Sequence, residues 1–309
     1  MLLRILGSAA GGGFPQWNCA CDNCHGIRTR SIHAMRRTQE SACLTANGTD
    51  YVLINASPDI RAQIEQCSAL HPRAPRDSPI AAIVLTNGDV DHCVGLFSLR
   101  EWQPLAVYAT TSVWHDLIER NVLCRTLDRY AGHLTWRELT LDSPQELQSA
   151  SGISLGLMME TVAAPGKVPL HLEGIAPPDA GQNIGLVLHV DSSTDCSPAR
   201  LAYFPSVGQI TETIHQTLAQ ADVVVWDGTF WSNDELIRQG LAQRSAEEMA
   251  HVPISGENGS LAGLSDLAAR RVLTHINNSN PILRDDSRER GSVAAAGWDV
   301  AYDGMELKL

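Results

Sequence analysis

Ile80-Ala81-Ala82-Ile83-Val84-Leu85-Thr86-Asn87-Gly88-Asp89-Val90-Asp91-His92 joins an apolar run to a loop bearing two carboxylates and an imidazole. A continuous apolar run ended by a turn reads as a strand covered on both faces. A helix is expected from about Val94 to Glu101, so the acidic loop is a strand-to-helix connection, where a rigid scaffold presents chemistry. An Asp-rich loop ahead of a helix also serves as turn and N-cap, and the residues by themselves leave both uses open.

Similar patterns extend in both directions. Leu2 to Leu6 reads as a first strand running into Gly7-Ser8-Ala9-Ala10-Gly11-Gly12-Gly13, whose small residues permit tight turns and close approach. Asn47-Gly48-Thr49-Asp50 separates two strand-like runs, Ser41 to Ala46 and Tyr51 to Ile54, as a hairpin. Ser57-Pro58-Asp59 opens a helix to about Cys67. Strands are expected at Leu105–Ala109, in three or four runs over 134–191, and at Arg200–Phe204, Val223–Trp226, Arg271–His275 and Trp298–Tyr302. Helices are expected from Thr111, over Gln209–Gln220, from Ser232 with a capping box to Glu235, near Ser260–Ala269, and ending at Gly297. With no low-complexity linker and no fixed-period repeat, the pattern predicts one domain over residues 1–309, a sheet-on-sheet core flanked by helices.

The chain has 309 residues, 44% of them hydrophobic, and carries 23 Lys+Arg against 35 Asp+Glu, for a net charge of −12. That balance argues against a surface built for nucleic acid or anionic lipid. No apolar stretch approaches the roughly 18 residues of a membrane-spanning helix. The short N-terminal apolar run is not preceded by a basic segment, so the chain is expected in the cytoplasm. Eight cysteines there point away from disulfides and, where clustered, toward metal.

Three do cluster. Cys19, Cys21 and Cys24 fall within six residues, so one turn can bring three thiolates onto one ion, and soft sulfur favours a structural Zn²⁺. His25 is adjacent but awkwardly placed as a fourth ligand, which leaves a distant His or Asn. Cys43, Cys67, Cys93, Cys124 and Cys196 are scattered and read as ordinary core or surface thiols. His275 ends a strand, as the Asp91-His92 pair follows one, and the two sites can meet across a sheet edge. His251, ahead of Pro253, is suited to general acid–base work, and Asp227 is a further strand-end carboxylate. Lys167, in a long Gly/Pro loop, is a candidate anion contact. The Gly-rich loop lacks both G-x-G-x-x-G and a Walker lysine, and no G-x-S-x-G elbow is present.

Asn87-x-Asp89-x-Asp91-His92 resembles the H-x-H-x-D-H signature of the metallo-β-lactamase superfamily, with its final Asp-His intact. The Gly-rich start, C-x-C-x-x-C, Asn55-Ala56-Ser57-Pro58-Asp59-Ile60-Arg61, Pro165-Gly166-Lys167-Val168-Pro169 and His275-Ile276-Asn277-Asn278-Ser279-Asn280-Pro281 extend the likeness to that superfamily's PQQ (pyrroloquinoline quinone) synthesis B family. The resemblance implies an α/β (α+β) fold of the αββα type, two mixed β-sheets flanked by helices with a metal groove at one sheet edge. It also implies a role in forming PQQ from a Glu-Tyr unit. The departures bear on mechanism. Asn87 and Asp89 replace two histidines, the downstream histidine position falls near Gly166-Lys167, and the bridging aspartate position falls in Phe204-Pro205-Ser206, so a two-metal hydrolase is not expected. Asp91, His92 and His275, with Asp89 as a further candidate, remain as ligands for a single active-site metal. Two imidazoles and a carboxylate with open positions suit Fe²⁺. The family's suggested role is then oxygen-dependent hydroxylation of the tyrosine ring, with His251 moving protons and Lys167 or Arg61 holding carboxylates. Two alternatives are a non-enzymatic carrier of PQQ or its precursor to the periplasm and a metal-dependent phosphodiesterase. The implied partners are the PQQ precursor or PQQ, other pathway proteins and a second copy in a homodimer, with neither nucleic acid nor a membrane span.

Overall fold

The computed structural model describes residues 1–101, 103–121, 126–127, 132–190 and 199–309. In the first half of the chain lie β1 (Leu2–Gly7), β2 (Ser41–Thr45), β3 (Tyr51–Ile54), β4 (Ile80–Val84), β5 (Leu105–Ala109), β6 (Leu134–Glu138) and β7 (Gln145–Gln148). The second half supplies β8 (Ser154–Ala163), β9 (Ile184–Val190), β10 (Leu201–Phe204), β11 (Val223–Asp227), β12 (Arg270–Thr274), β13 (Trp298–Val300) and β14 (Glu306–Lys308). They form two seven-stranded sheets, ordered β14-β1-β2-β3-β4-β5-β6 and β13-β12-β11-β10-β9-β8-β7. The helices are α1 (Asp22–Thr29), α2 (Ile60–Gln66), α3 (Val90–Cys93), α4 (Thr111–Ile118), α5 (Glu212–Ala219), α6 (Glu235–Arg238), α7 (Ser260–Gly263) and α8 (Arg288–Ala295). This is the expected pair of mixed sheets with flanking helices.

Alternation along the strands divides the apolar residues among three layers. Leu3, Ile5, Leu44, Val52, Ile54, Val84 and Tyr108 of the first sheet meet Leu157, Met159, Leu186, Leu188, Tyr203, Val225 and Val272 of the second. Each such buried side chain contributes about 1.5–3 kcal/mol relative to exposure, so this shared layer holds the sheets face to face. The opposite faces are covered separately. Leu53, Ile83 and Val107 pack with Ile60 of α2 and Val113 of α4, while Phe204, Trp226 and Leu273 pack with Ile214 of α5 and Val293 of α8.

Several local expectations differ from the structure. The helix expected at Val94–Glu101 is a single α-turn, α3, followed by a 3₁₀ stretch over Val94–Leu99. The capping box at Ser232 does not close, because the Ser232 hydroxyl donates to Asp234 Oδ1 at 2.8 Å instead of accepting a helix N–H; the buried Glu235 carboxylate accepts the Trp231 N–H at 2.6 Å and the Ser279 hydroxyl. β14 was not anticipated; it pairs antiparallel with β1, Leu2 opposite Lys308. Of the scattered thiols, Cys43, Cys67 and Cys93 are buried, whereas Cys124 and Cys196 lie outside the described residues.

Strands β3 to β6 run parallel, as do β10 to β13, and the polar candidates gather at their C-terminal ends. Asn55 follows β3, Asp91 and His92 follow β4, Asp227 ends β11 and His275 follows β12. Carboxyl ends of parallel strands are where open α/β sheets bind ligands.

Candidate metal centre

His275 and Asn55 take left-handed backbone conformations, with φ of 55° and 60°. Such a φ is uncommon outside glycine and persists where surrounding bonds over-determine it. At His275 the bonds are Ile276 N–H to Ser8 O at 2.9 Å, Gly228 N–H to Thr274 O at 2.7 Å and the close approach of Thr229 Oγ1. The twist turns the imidazole toward β4, and its Nε2 lies 3.2 Å from His92 Nε2. Asp91 Oδ2 stands 3.4 Å from the first nitrogen and 3.7 Å from the second. Residues far apart in sequence and on different sheets thus present three ligand atoms within 4.8 Å of one another.

Each imidazole is backed at Nδ1. His275 Nδ1–H donates to Thr229 Oγ1 at 2.8 Å, and Thr229 donates to Asp227 Oδ1 at 2.6 Å. His92 Nδ1 faces the buried Glu40 Oε2 at 3.3 Å and the Asn55 amide nitrogen at 2.7 Å. Asn55 also donates to Glu40 at 2.7 Å, and the Tyr203 hydroxyl bonds the other Glu40 oxygen. Partners of this kind orient a metal-binding imidazole and raise its basicity. Glu40 and Thr229 were not among the sequence candidates; nothing in the polar run Thr38-Gln39-Glu40 marks it as lying behind a histidine 52 positions downstream.

The electrostatics favour positive charge between the rings. Burial pushes His92 down, but the Asp91 and Glu40 carboxylates outweigh it and bring it up to about 9. Burial would raise Asp91, yet the facing imidazoles hold it well below the usual carboxylate range. Two Nε2 atoms 3.2 Å apart beside a carboxylate fit a bound cation.

Asp227, His251 and His275 form a second close triplet. Here the carboxylate is already saturated. Oδ1 accepts Thr229 N–H at 2.9 Å and its hydroxyl at 2.6 Å, while Oδ2 accepts Val207 N–H at 2.9 Å and His251 Nδ1 at 2.7 Å. Burial would raise Asp227, but His251 holds it low. Asp227 therefore fixes the His251 ring, which stacks on His275 with centroids 5.6 Å apart, and leaves Nε2 of His251 unclaimed by that pair.

Both residues in place of histidine are engaged elsewhere. Asn87 donates to Asn183 Oδ1 at 3.2 Å and accepts Asp89 N–H at 3.0 Å. Asp89, a candidate ligand from sequence, spends Oδ1 on the Leu170 N–H at 3.1 Å and stands outside the ligand triplet. Arg61 is also misplaced: it lies on the exposed side of α2, away from the groove. Lys167 does line the groove, a cavity of about 240 Å³ with Asp91, His92, His251 and His275 in its wall. Its Nζ stands 4.0 Å from Glu173. The Gly-rich loop packs on the site; a Cβ at Gly11 would come within 3.1 Å of Asp91 Oδ2.

Cys19, Cys21 and Cys24 converge as a third triplet, and His25 is exposed and apart. Asn278 closes the cluster, its side-chain amide 3.2, 3.6 and 3.3 Å from the three sulfurs. Burial pushes the Cys21 thiol up to about 12. Three sulfurs converging beside an amide are a donor set that suits zinc, and binding of the ion would draw off the thiol protons.

Residues 50–276 match the Beta-lactamase superfamily domain. The chain is 42% identical to coenzyme PQQ synthesis protein B of Azotobacter vinelandii, and 43% to that of Cupriavidus necator, over 100% and 99% of both chains respectively. The crystal structure of Zn(2+)-bound PqqB from Methylobacterium extorquens superposes with a TM-score of 0.91 at 39% identity over the whole of both chains. A diphosphatase from the PhnP family shares the fold at 21% identity, with a TM-score of 0.68. Among the described residues no helix is long and apolar enough to cross a membrane. A match over its full length to these relatives means that the chain belongs to the coenzyme PQQ synthesis protein B family of the β-lactamase superfamily.

Proposed function

We propose that this protein acts in PQQ formation as a metal-dependent oxygenase, adding a hydroxyl group to the tyrosine ring of the Glu-Tyr derived precursor. The shared name of its full-length relatives supports the pathway. The observation that carries the chemistry is the donor set of one carboxylate and two imidazoles, with Asn87 and Asp89 bonded to the protein where a two-metal hydrolase has histidines. A ferrous ion held by Asp91, His92 and His275 would supply O₂ activation.

The chain's own residues supply the remainder. Phe230, Leu170 and Met249 give the groove an apolar wall for an aromatic ring. Lys167 holds a precursor carboxylate, exchanging it for Glu173. His251, steadied by Asp227, takes the proton released at the ring hydroxyl. Cys19, Cys21, Cys24 and Asn278 hold a structural zinc. The protein works in the cytoplasm and passes its product to other proteins of the pathway.

Protein loaded with Fe(II) and given Glu-Tyr with a two-electron reductant such as ascorbate should show substrate-dependent O₂ consumption and yield a product heavier by one oxygen, the second oxygen leaving as water, and His92→Ala should abolish both. Absence of O₂ uptake in the loaded wild type would overturn the oxygenase. Tight binding of PQQ or its precursor without turnover under any metal would instead favour a carrier, and cleavage of a chromogenic phosphodiester would favour a hydrolase.

A further inference from the structure

Remote from the metal groove, Arg4, Cys43 and Cys67 form another cluster of reactive side chains. Arg4 on β1 and Cys43 on β2 are directly opposed cross-strand partners, so both side chains leave the same face of the sheet. Cys67 caps the C-terminus of α2, its N–H closing on Ile64 O, and packs with Cys43 in the layer under that helix. Arg4 Nη1 donates to Cys67 Sγ at 2.9 Å. Cys43, directly across from Arg4, is buried in the same layer as that sulfur. Glu306 holds the far side of the guanidinium in an ion pair.

The Cys67 sulfur therefore accepts a hydrogen bond from a fixed positive charge. The neighbouring Cys43 thiol is the larger influence and, with Arg4, overcomes burial to hold Cys67 below the ordinary thiol range, while Cys43 moves up. A thiolate so stabilised is the form that attacks electrophiles. It is also reachable. Cys67, Arg4, Gln63, Gln66 and Asp303 line a cavity of about 210 Å³, enough for a small oxidant though not for a peptide.

We propose that Cys67 and Cys43 are a redox pair that consumes a small hydroperoxide through this cavity. The Cys67 thiolate attacks the terminal peroxide oxygen, the O–O bond breaks, and the departing alkoxide or hydroxide takes a proton from water. Cys67 is then a sulfenic acid, oxidised by two electrons as the peroxide is reduced to alcohol or water. Cys43 attacks that sulfur, an S–S bond forms, and the hydroxyl leaves with the Cys43 proton as water. The disulfide ties the end of α2 to β2.

The test treats the zinc-loaded full chain with one equivalent of hydrogen peroxide, alkylates the remaining thiols and maps the peptides. The expected result is a cross-linked pair of peptides containing Cys43 and Cys67, two hydrogens lighter than the sum, with zinc retained. In Cys43→Ser, dimedone should capture Cys67 as the sulfenic acid. In Arg4→Gln, consumption of Cys67 should slow roughly tenfold. The cross-link is read on the wild-type chain, so it decides the matter even if a variant does not fold. Oxidation confined to Cys19, Cys21 and Cys24, or Cys67 reacting no faster than Cys93, would overturn the proposal.

Discussion

Asn278 lies three residues beyond His275 on one loop, so the amide facing the three thiols and an imidazole of the groove are carried by the same short run of backbone. Asn23 strengthens the connection, donating to the carbonyls of Asn278 and Asn280 at 3.1 and 2.9 Å. The cysteine cluster and the groove imidazole of His275 are thus tied to one another through a single stretch of backbone. Asn278→Ala should lower zinc content at a fixed chelator concentration and weaken metal binding in the groove by about tenfold or more. Elemental analysis together with a competition titration checks this, and an unchanged groove affinity in a zinc-depleted variant would refute the coupling.

Glu40 is buried behind His92 and never reaches the groove. Glu40→Gln keeps the shape and removes the charge. It should weaken the groove metal about 10- to 100-fold while leaving the cysteine site's zinc intact. Equal loss at both sites would mean general unfolding instead.

Glu235 sets a pH dependence of stability. Burial raises its carboxyl to about 7, against hydrogen bonds from Ser279 and Trp231 that pull the other way. A folded-state value above the unfolded one means that its contribution is fully present below about pH 4.5 and is lost as pH rises through about 7. Glu235→Gln keeps an acceptor and cannot ionise. The melting temperature of the variant minus that of the wild type should therefore grow between pH 5 and pH 8; a difference constant across that range would remove the assignment.

Lys167 is a positioning charge for an anionic substrate under the proposed activity. Lys167→Ala should raise KM for the precursor about tenfold with little change in kcat, the loss of one charge-assisted hydrogen bond. A change in kcat alone would place Lys167 in the chemical step instead.

Much of this architecture could be read from residues. The apolar run into Asp91-His92 and the strand end at His275 are local patterns, and the C-x-C-x-x-C spacing is its own evidence for a shared ion. What sequence could not supply was facing. Asp89 lines the groove but spends one oxygen on the Leu170 N–H and falls outside the close triplet, and Arg61, read as a substrate contact, is turned to solvent by helical periodicity. Asp227 and His251 each stand out singly in the sequence, but their pairing crosses 24 positions and depends on tertiary packing. Glu40 and Thr229 gave no signal because a residue behind an imidazole looks like any other polar residue near a strand.

The groove takes Asp91 and His92 from the first sheet and His275 from the second. An ion bound there is a rivet through one edge of the sandwich, and its binding free energy is also energy of closure between the halves. Stripping that ion should speed amide hydrogen exchange at the C-terminal ends of β4 and β12 together, far more than at the opposite edges of either sheet.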